Sequence, residues 1–195
     1  MRHRLAPTTL RTWIAVALAV MLTLPAAFAQ DDEAELVVAL SSDPTSLFMP
    51  RTADRTASNA AWSLYDSLVF IDAEGELVPA LATDWTISED GTEYVFELRE
   101  GVTFHNGEPF TADAVKWTYE RIQEASRDEF ITFNQWLFID EITAISDYQV
   151  EITTVEPDPS FLSKMAGTGC GIQAPVAGRE MMESGEYTPI GTGPY

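Results

Sequence analysis

Residues 65–122 read YDSLVFIDAEGELVPALATDWTISEDGTEYVFELREGVTFHNGEPFTADAVKWTYERI, and the fold class turns on how this stretch divides. Tyr94, Phe96 and Leu98 alternate with Glu93, Val95 and Glu97, the period of a half-buried strand. Asp90-Gly91 just upstream is a tight-turn pair, and a partner strand is expected around Trp85. His105-Asn106-Gly107 then reads as a turn. Thr111 stands where an N-cap belongs, Asp113 lies in the first turn, and Val115, Tyr119 and Ile122 recur at helical spacing. A hairpin running through a polar turn into an amphipathic helix is therefore expected.

Working outward, IDAEGEL predicts a turn or short hairpin around Gly75. Asn59 is placed as the N-cap of a helix in which Ala61, Leu64, Tyr65 and Leu68 share a face. LVVAL (36–40) is a compact apolar run and predicts a buried strand. Downstream, EITAI and QVEITTV predict a hairpin across Ser146-Asp147-Tyr148. Asp158-Pro159 predicts a helix start, since proline is harmless in the first turn, and REMMES adds one or two helical turns. Strands and helices intermixed in this way give an α/β or α+β class.

The first residues have a different character. Arg2, Arg4 and Arg11 precede the apolar run WIAVALAVMLTLP, and Ala27-Phe28-Ala29 is a small-x-small site. This is the layout of a cleavable secretory signal over residues 1–29, with cleavage before Gln30. The apolar run is too short to span a bilayer comfortably. The 195-residue chain carries 11 Lys+Arg against 31 Asp+Glu, a formal net charge of -20. Such a surface repels nucleic acid and anionic lipid. A saline habitat and plain solubility both account for it.

Catalytic and metal chemistry find little support. With His3 removed in the signal, His105 is the sole histidine, so HExxH and histidine-rich metal sites are absent, and no GxSxG elbow exists. Glu93 and Glu97 share the wet face of a strand and carry no mark of desolvation. The runs GTGCG and GTGPY lack the spacing of phosphate-cradling or dinucleotide loops. Cys170 stands alone between glycines and reads as a small buried residue. No catalytic residue, metal site or cofactor is expected.

The order of motifs closely resembles the extracellular solute-binding proteins of the peptide/nickel family, the substrate-binding components of ABC importers. The matching pieces are Tyr65-Asp66-Ser67-Leu68, the step from Pro79 to Trp85, Asp90-Gly91, Leu98-Arg99, Phe104-His105-Asn106-Gly107 and Thr111-Ala112-Asp113. Pro157-Asp158-Pro159-Ser160-Phe161-Leu162 and Pro189-Ile190-Gly191-Thr192-Gly193-Pro194-Tyr195 follow in order. One departure is that Ser46-Leu47-Phe48-Met49-Pro50 replaces the Ser-Leu-Asp-Pro the family often carries.

The resemblance implies a two-lobed α/β periplasmic binding protein of the large type with an extra α+β domain, present here as an N-terminal fragment. It divides the chain into the signal (1–29), the start of the first lobe with a cleft loop (30–63), most of the extra domain (64–188) and a return to the first lobe (189–195). It puts Ala53, Arg55 and Asn59 at the cleft, with Asn134 and Trp136 as further ligand contacts, and His105 in a turn away from it. The implied partner is an ABC permease in the inner membrane. The implied solute is a peptide, with nickel complexes, glutathione and oligosaccharides as alternatives. A secreted hydrolase and a sensory binding subunit without a permease are the competing readings.

Overall fold

The computed structural model describes residues 37–44, 46–47, 54–124, 136–184 and 188–195. The signal segment therefore lies outside the described residues, and so do Ala53 and Asn134. Residues 37–39 belong to a first unit and the rest to a second.

The hairpins expected from 65–122 are present. β1 (Val69–Ile71) and β2 (Leu77–Pro79) pair antiparallel across the Gly75 turn. β3 (Ala82–Ile87) and β4 (Glu93–Leu98) pair across Asp90-Gly91, with Trp85 opposite Phe96. β5 (Ile139–Ser146) and β6 (Gln149–Thr154) form the third hairpin. The last four strands make one sheet in the order β3-β4-β6-β5. Because successive side chains alternate faces, Tyr94, Phe96, Val150, Ile152 and Ile142 line up on one side and are buried.

Across from that apolar face lies α2 (Ala112–Glu124), which buries Val115, Tyr119 and Ile122 as its spacing predicts. The other sheet face carries Glu93, Glu141 and Glu151 opposite threonines, and Glu97 between Asp84 and Gln149. Gln149 donates to Glu97 there at 2.6 Å. Glu93 and Glu97 of β4 thus stay on the wet face, where water solvates their charge.

α3 (Phe161–Met165) stacks Phe161 on Tyr94, ring centroids 4.0 Å apart. It begins later than Asp158-Pro159 suggests. Asp158 instead accepts from the Ser160 backbone N–H at 2.9 Å and its hydroxyl at 2.6 Å, so the pair forms a turn ahead of the helix. A 3-10 turn (Thr168–Cys170) and α4 (Pro175–Ser184) complete the order. Glu108 reaches the first turn of α4, accepting from Val176 N–H at 3.0 Å and Ala177 N–H at 3.3 Å. That gives the helix's free amides an anionic partner.

Two expectations are corrected. Val37–Leu40 forms no strand; Val37 is 79% exposed. A buried strand needs ladder partners for its backbone, and among the described residues none pairs with this run. The helix assigned to Asn59 starts earlier: α1 spans Arg55–Ala61 and its N-cap is Asp54. Asp54 Oδ1 accepts from Thr56 N–H at 3.0 Å, satisfying an otherwise orphaned donor. Asn59 is therefore the fifth helical residue, and the helix stops before Leu64 and Leu68.

Candidate functional site

α1 is short and polar on one side. Arg55 and Asn59, four residues apart, lie on the same helical face and are both exposed. Thr56 and Ala57 turn inward, and the Thr56 hydroxyl sits 3.3 Å from that of Ser42. Among the described residues no carboxylate faces the Arg55 guanidinium, which leaves a donor fork toward solvent.

Trp62 continues that stripe at the end of α1, 37% exposed, with its ring edge-on to Phe70 at 5.5 Å. Beneath it lies an open groove of about 510 Å³, lined by Trp62, Asp66, Ser67, Phe70, Ile71 and Ala80 among others. Solvent-facing aromatics in a concave, mostly apolar setting were not singled out as a group from the sequence. The signal was there in the Trp62–Phe70 spacing, but it takes the bend after α1 to join them.

Behind α1 three backbones meet. The amide of Gly193 donates to Leu64 O at 3.0 Å, and that of Tyr195 to Ser63 O at 3.2 Å. Thr192 Oγ1 donates to Asp66 Oδ2 at 2.8 Å. On the other side His105 N–H donates to Gly191 O at 3.0 Å. The His105 ring also engages: Nε2 is 2.8 Å from Gly193 O, and Nδ1 is 3.4 Å from Gly191 N. The carbonyl can only accept, so Nε2 carries the proton, which leaves Nδ1 as the acceptor for Gly191 N–H.

Only glycine fits this seam. A Cβ at Gly191 would lie 1.9 Å from Leu64 O and one at Gly193 2.5 Å from Ser63 O. Excluding GTGPY as a phosphate-cradling or dinucleotide loop says nothing of this close approach; glycines two apart flanking one threonine are its trace in the sequence. His105 is a turn residue as expected, but one that binds the returning chain.

The expected ligand contacts separate. Arg55 and Asn59 stand together on α1. Trp136 is 2% exposed, packed on Tyr119 with ring centroids 4.8 Å apart, so its ring belongs to the core. Its Nε1 has no hydrogen-bond partner among the described residues. A lone tryptophan at the edge of a segment without clear periodicity gives no sign of which way it faces. Nearby, burial raises the Tyr119 phenol well above its ordinary value, the Cys170 thiol adding to it, and Tyr119 donates to Cys170 O at 3.2 Å. Burial likewise pushes the Cys170 thiol up to about 12, so Cys170 is a packed, inert residue. Among the described residues no group of three or more His, Cys, Asp or Glu could hold a metal ion, and no helix is long and apolar enough to cross a membrane.

With this geometry in hand, comparison with known proteins is specific. Residues 76–195 match the family described as bacterial extracellular solute-binding proteins, family 5 Middle. The chain belongs to that family. Over 183 residues it is 34% identical to the glutathione-binding protein GsiB of Escherichia coli K12, covering 93% of this chain and 35% of that protein. The chain thus spans about a third of the length of the curated relatives it matches. Among solved structures it is similar to a dipeptide-binding protein from Pseudoalteromonas sp. SM9913 in complex with Met-Leu. That likeness has a TM-score of 0.72 and 29% identity, over 79% of this chain and 35% of that one. It is also similar to the ABC transporter-associated periplasmic binding protein DppA from Helicobacter pylori in complex with the peptide STSA. There the TM-score is 0.70 and the identity 28%, over 78% of this chain and 34% of that one. The fold is therefore that of periplasmic binding proteins, and the family is one of substrate-binding proteins.

Proposed function

We propose that this protein works as a periplasmic solute-binding component that hands a solute, in the first place a peptide, to the inner-membrane permease of an ABC importer without altering it chemically. The observation that carries the reading is the family match over residues 76–195, together with relatives named for binding glutathione and dipeptides. The layout of residues 1–29 as an export signal agrees with a periplasmic destination.

Within this reading the solute-facing surface of the chain is the exposed side of α1, with Arg55 and Asn59 on it and Ala53 just ahead of its cap. Asn134, two residues before Trp136 in the sequence, is a further proposed contact. A guanidinium with no carboxylate partner among the described residues suits a peptide carboxylate or backbone carbonyl, through a charge-assisted hydrogen bond. Removing one such bond costs about 1.5–3 kcal/mol, or roughly ten- to a hundred-fold in Kd.

The test is calorimetric titration of glutathione, Met-Leu and the tetrapeptide STSA against the polypeptide as the cell makes it. Salt is held fixed because the charge of -20 makes ionic contacts sensitive to screening. Arg55→Ala is expected to weaken binding of the cognate peptide by at least about tenfold, and Asn59→Ala by less. If none of the three ligands binds, the peptide assignment is wrong. If binding is intact in both variants, α1 does not face the solute.

A further inference from the structure

The seam behind α1 suggests a conformational device that the transport reading does not require. Both ring nitrogens of His105 are engaged with the same returning segment, one as donor to Gly193 O and the other as acceptor from Gly191 N–H. That arrangement is possible only for the neutral ring. A protonated imidazole has two donors and no acceptor, so the N–H of Gly191 would then point at another N–H. The backbone bond from His105 N–H to Gly191 O would remain, as would the bond from the ring Nε2–H to Gly193 O, so the Gly191 N–H alone would lose its acceptor.

We propose that His105 is a pH-operated clasp that holds the Gly191 N–H against the turn 104–107 when the ring is neutral and lets that amide go when the ring is protonated. Imidazole is the side chain whose charge ordinarily changes between pH 5 and 8, a range that a compartment open to the medium can cross. His105 is exposed, so a proton reaches it without unfolding.

Among the described residues, the charged and titratable groups on the surrounding elements are not the ring's hydrogen-bond partners. On its own turn Glu108 is taken up by Asn106 and by the first amides of α4. From the α1 side Asp66 accepts from Thr192. On α4, Glu180 lines a small cleft with Asn106, and Arg179 and Glu183 are exposed. The phenols of Tyr65, beside Gly191, and of Tyr195 complete the set. The ring's hydrogen bonds go to the two glycines.

What loosens is defined by the geometry. Gly193 also donates to Leu64 and Tyr195 to Ser63, so the segment from 191 to 195 ties the residues after α1 to the turn. Protonating the ring removes the acceptor of Gly191 N–H, while the bonds to Leu64, Ser63, Gly191 O and Gly193 O persist. Protection should therefore fall at Gly191 before it falls at Gly193 or Tyr195.

The experiment is residue-resolved amide hydrogen exchange on the whole protein between pH 7.5 and 5.5, each rate divided by its intrinsic rate at that pH. The expected result is a loss of protection at Gly191 of about tenfold or more on acidification, with the amides of β4 and β6 unchanged. His105→Gln supplies a donor and an acceptor that do not titrate and should abolish the pH dependence at Gly191. An equal loss in wild type and His105→Gln, or none in wild type, overturns the proposal. Should His105→Gln fail to fold, the ring nitrogen chemical shifts of wild type decide. At pH 7.5 they must report the tautomer protonated at Nε2, and the other tautomer refutes the clasp.

Discussion

Replacing Gly191 by alanine adds one methyl group where the structure has no room for it. The new Cβ would meet Leu64 O at 1.9 Å and Tyr65 Cδ1 at 2.6 Å. Leu64 O is backbone and accepts from Gly193 N–H, so the segment rather than a side chain has to yield. Overpacking of this kind costs about 1–3 kcal/mol. Displacing the segment also weakens the bonds from His105 to Gly191 and from Gly193 to Leu64, at about 0.5–1.5 kcal/mol each. The expected loss is about 2–6 kcal/mol, a large part of the ~5–15 kcal/mol that holds a typical domain folded. For a chain of this size the midpoint should fall by roughly 10 °C. Thermal unfolding followed by tryptophan fluorescence measures it. Gly75→Ala is the control, because a Cβ there meets nothing within 4 Å and only the φ of +86° opposes it, a strain of about 1–2 kcal/mol. If Gly191→Ala destabilises no more than Gly75→Ala, the close approach of the three backbones is wrong.

Two further outcomes are expected from the titrating groups. The hydrogen bond from Lys164, and then that from Ser160, hold the Asp158 carboxyl below the ordinary value of 3.8. Its stabilising contribution is complete above the unfolded value and drains away as pH falls through the lowered folded value. Asp158→Asn should therefore flatten part of the acid limb of stability below about pH 4, as read from urea midpoints against pH; superimposable limbs for the two proteins would refute the assignment. Cys170, with its thiol pushed up to about 12 and its Sγ donating to Lys164 O at 3.0 Å, should resist Ellman's reagent in the folded protein at pH 8. It should react fully in denaturant, and rapid labelling without denaturant would contradict its burial.

Much of the central fold was legible because each clue was local. The alternation of Tyr94, Phe96 and Leu98, the Asp90-Gly91 pair and the spacing of Val115, Tyr119 and Ile122 depend only on neighbours in the chain. What failed depended on competition or on distant partners. Asn59 is a good capping residue, but Asp54 lies upstream and captures the helix start. LVVAL has strand composition, yet composition provides no partner for its amides. Trp136 could be read as lining a pocket or as core, and only the position of Tyr119 decides. The candidate surface was half legible: Arg55 and Asn59 do share a helical face, while the link of His105 to Gly191 and Gly193 spans a separation that no window on the sequence reveals.

That separation has a consequence for how the protein can vary. Asp66 and Thr192 stand 126 positions apart and are joined by one hydrogen bond, so the chain between them is a closed excursion with its two ends held side by side. The entropy of closing a loop rises only with the logarithm of its length, and doubling it adds about 0.6 kcal/mol. Insertions or deletions at the tips of the hairpins should therefore leave the junction almost untouched. Within the junction itself even a methyl group is too much, so the excursion is free to diversify while its point of attachment is not.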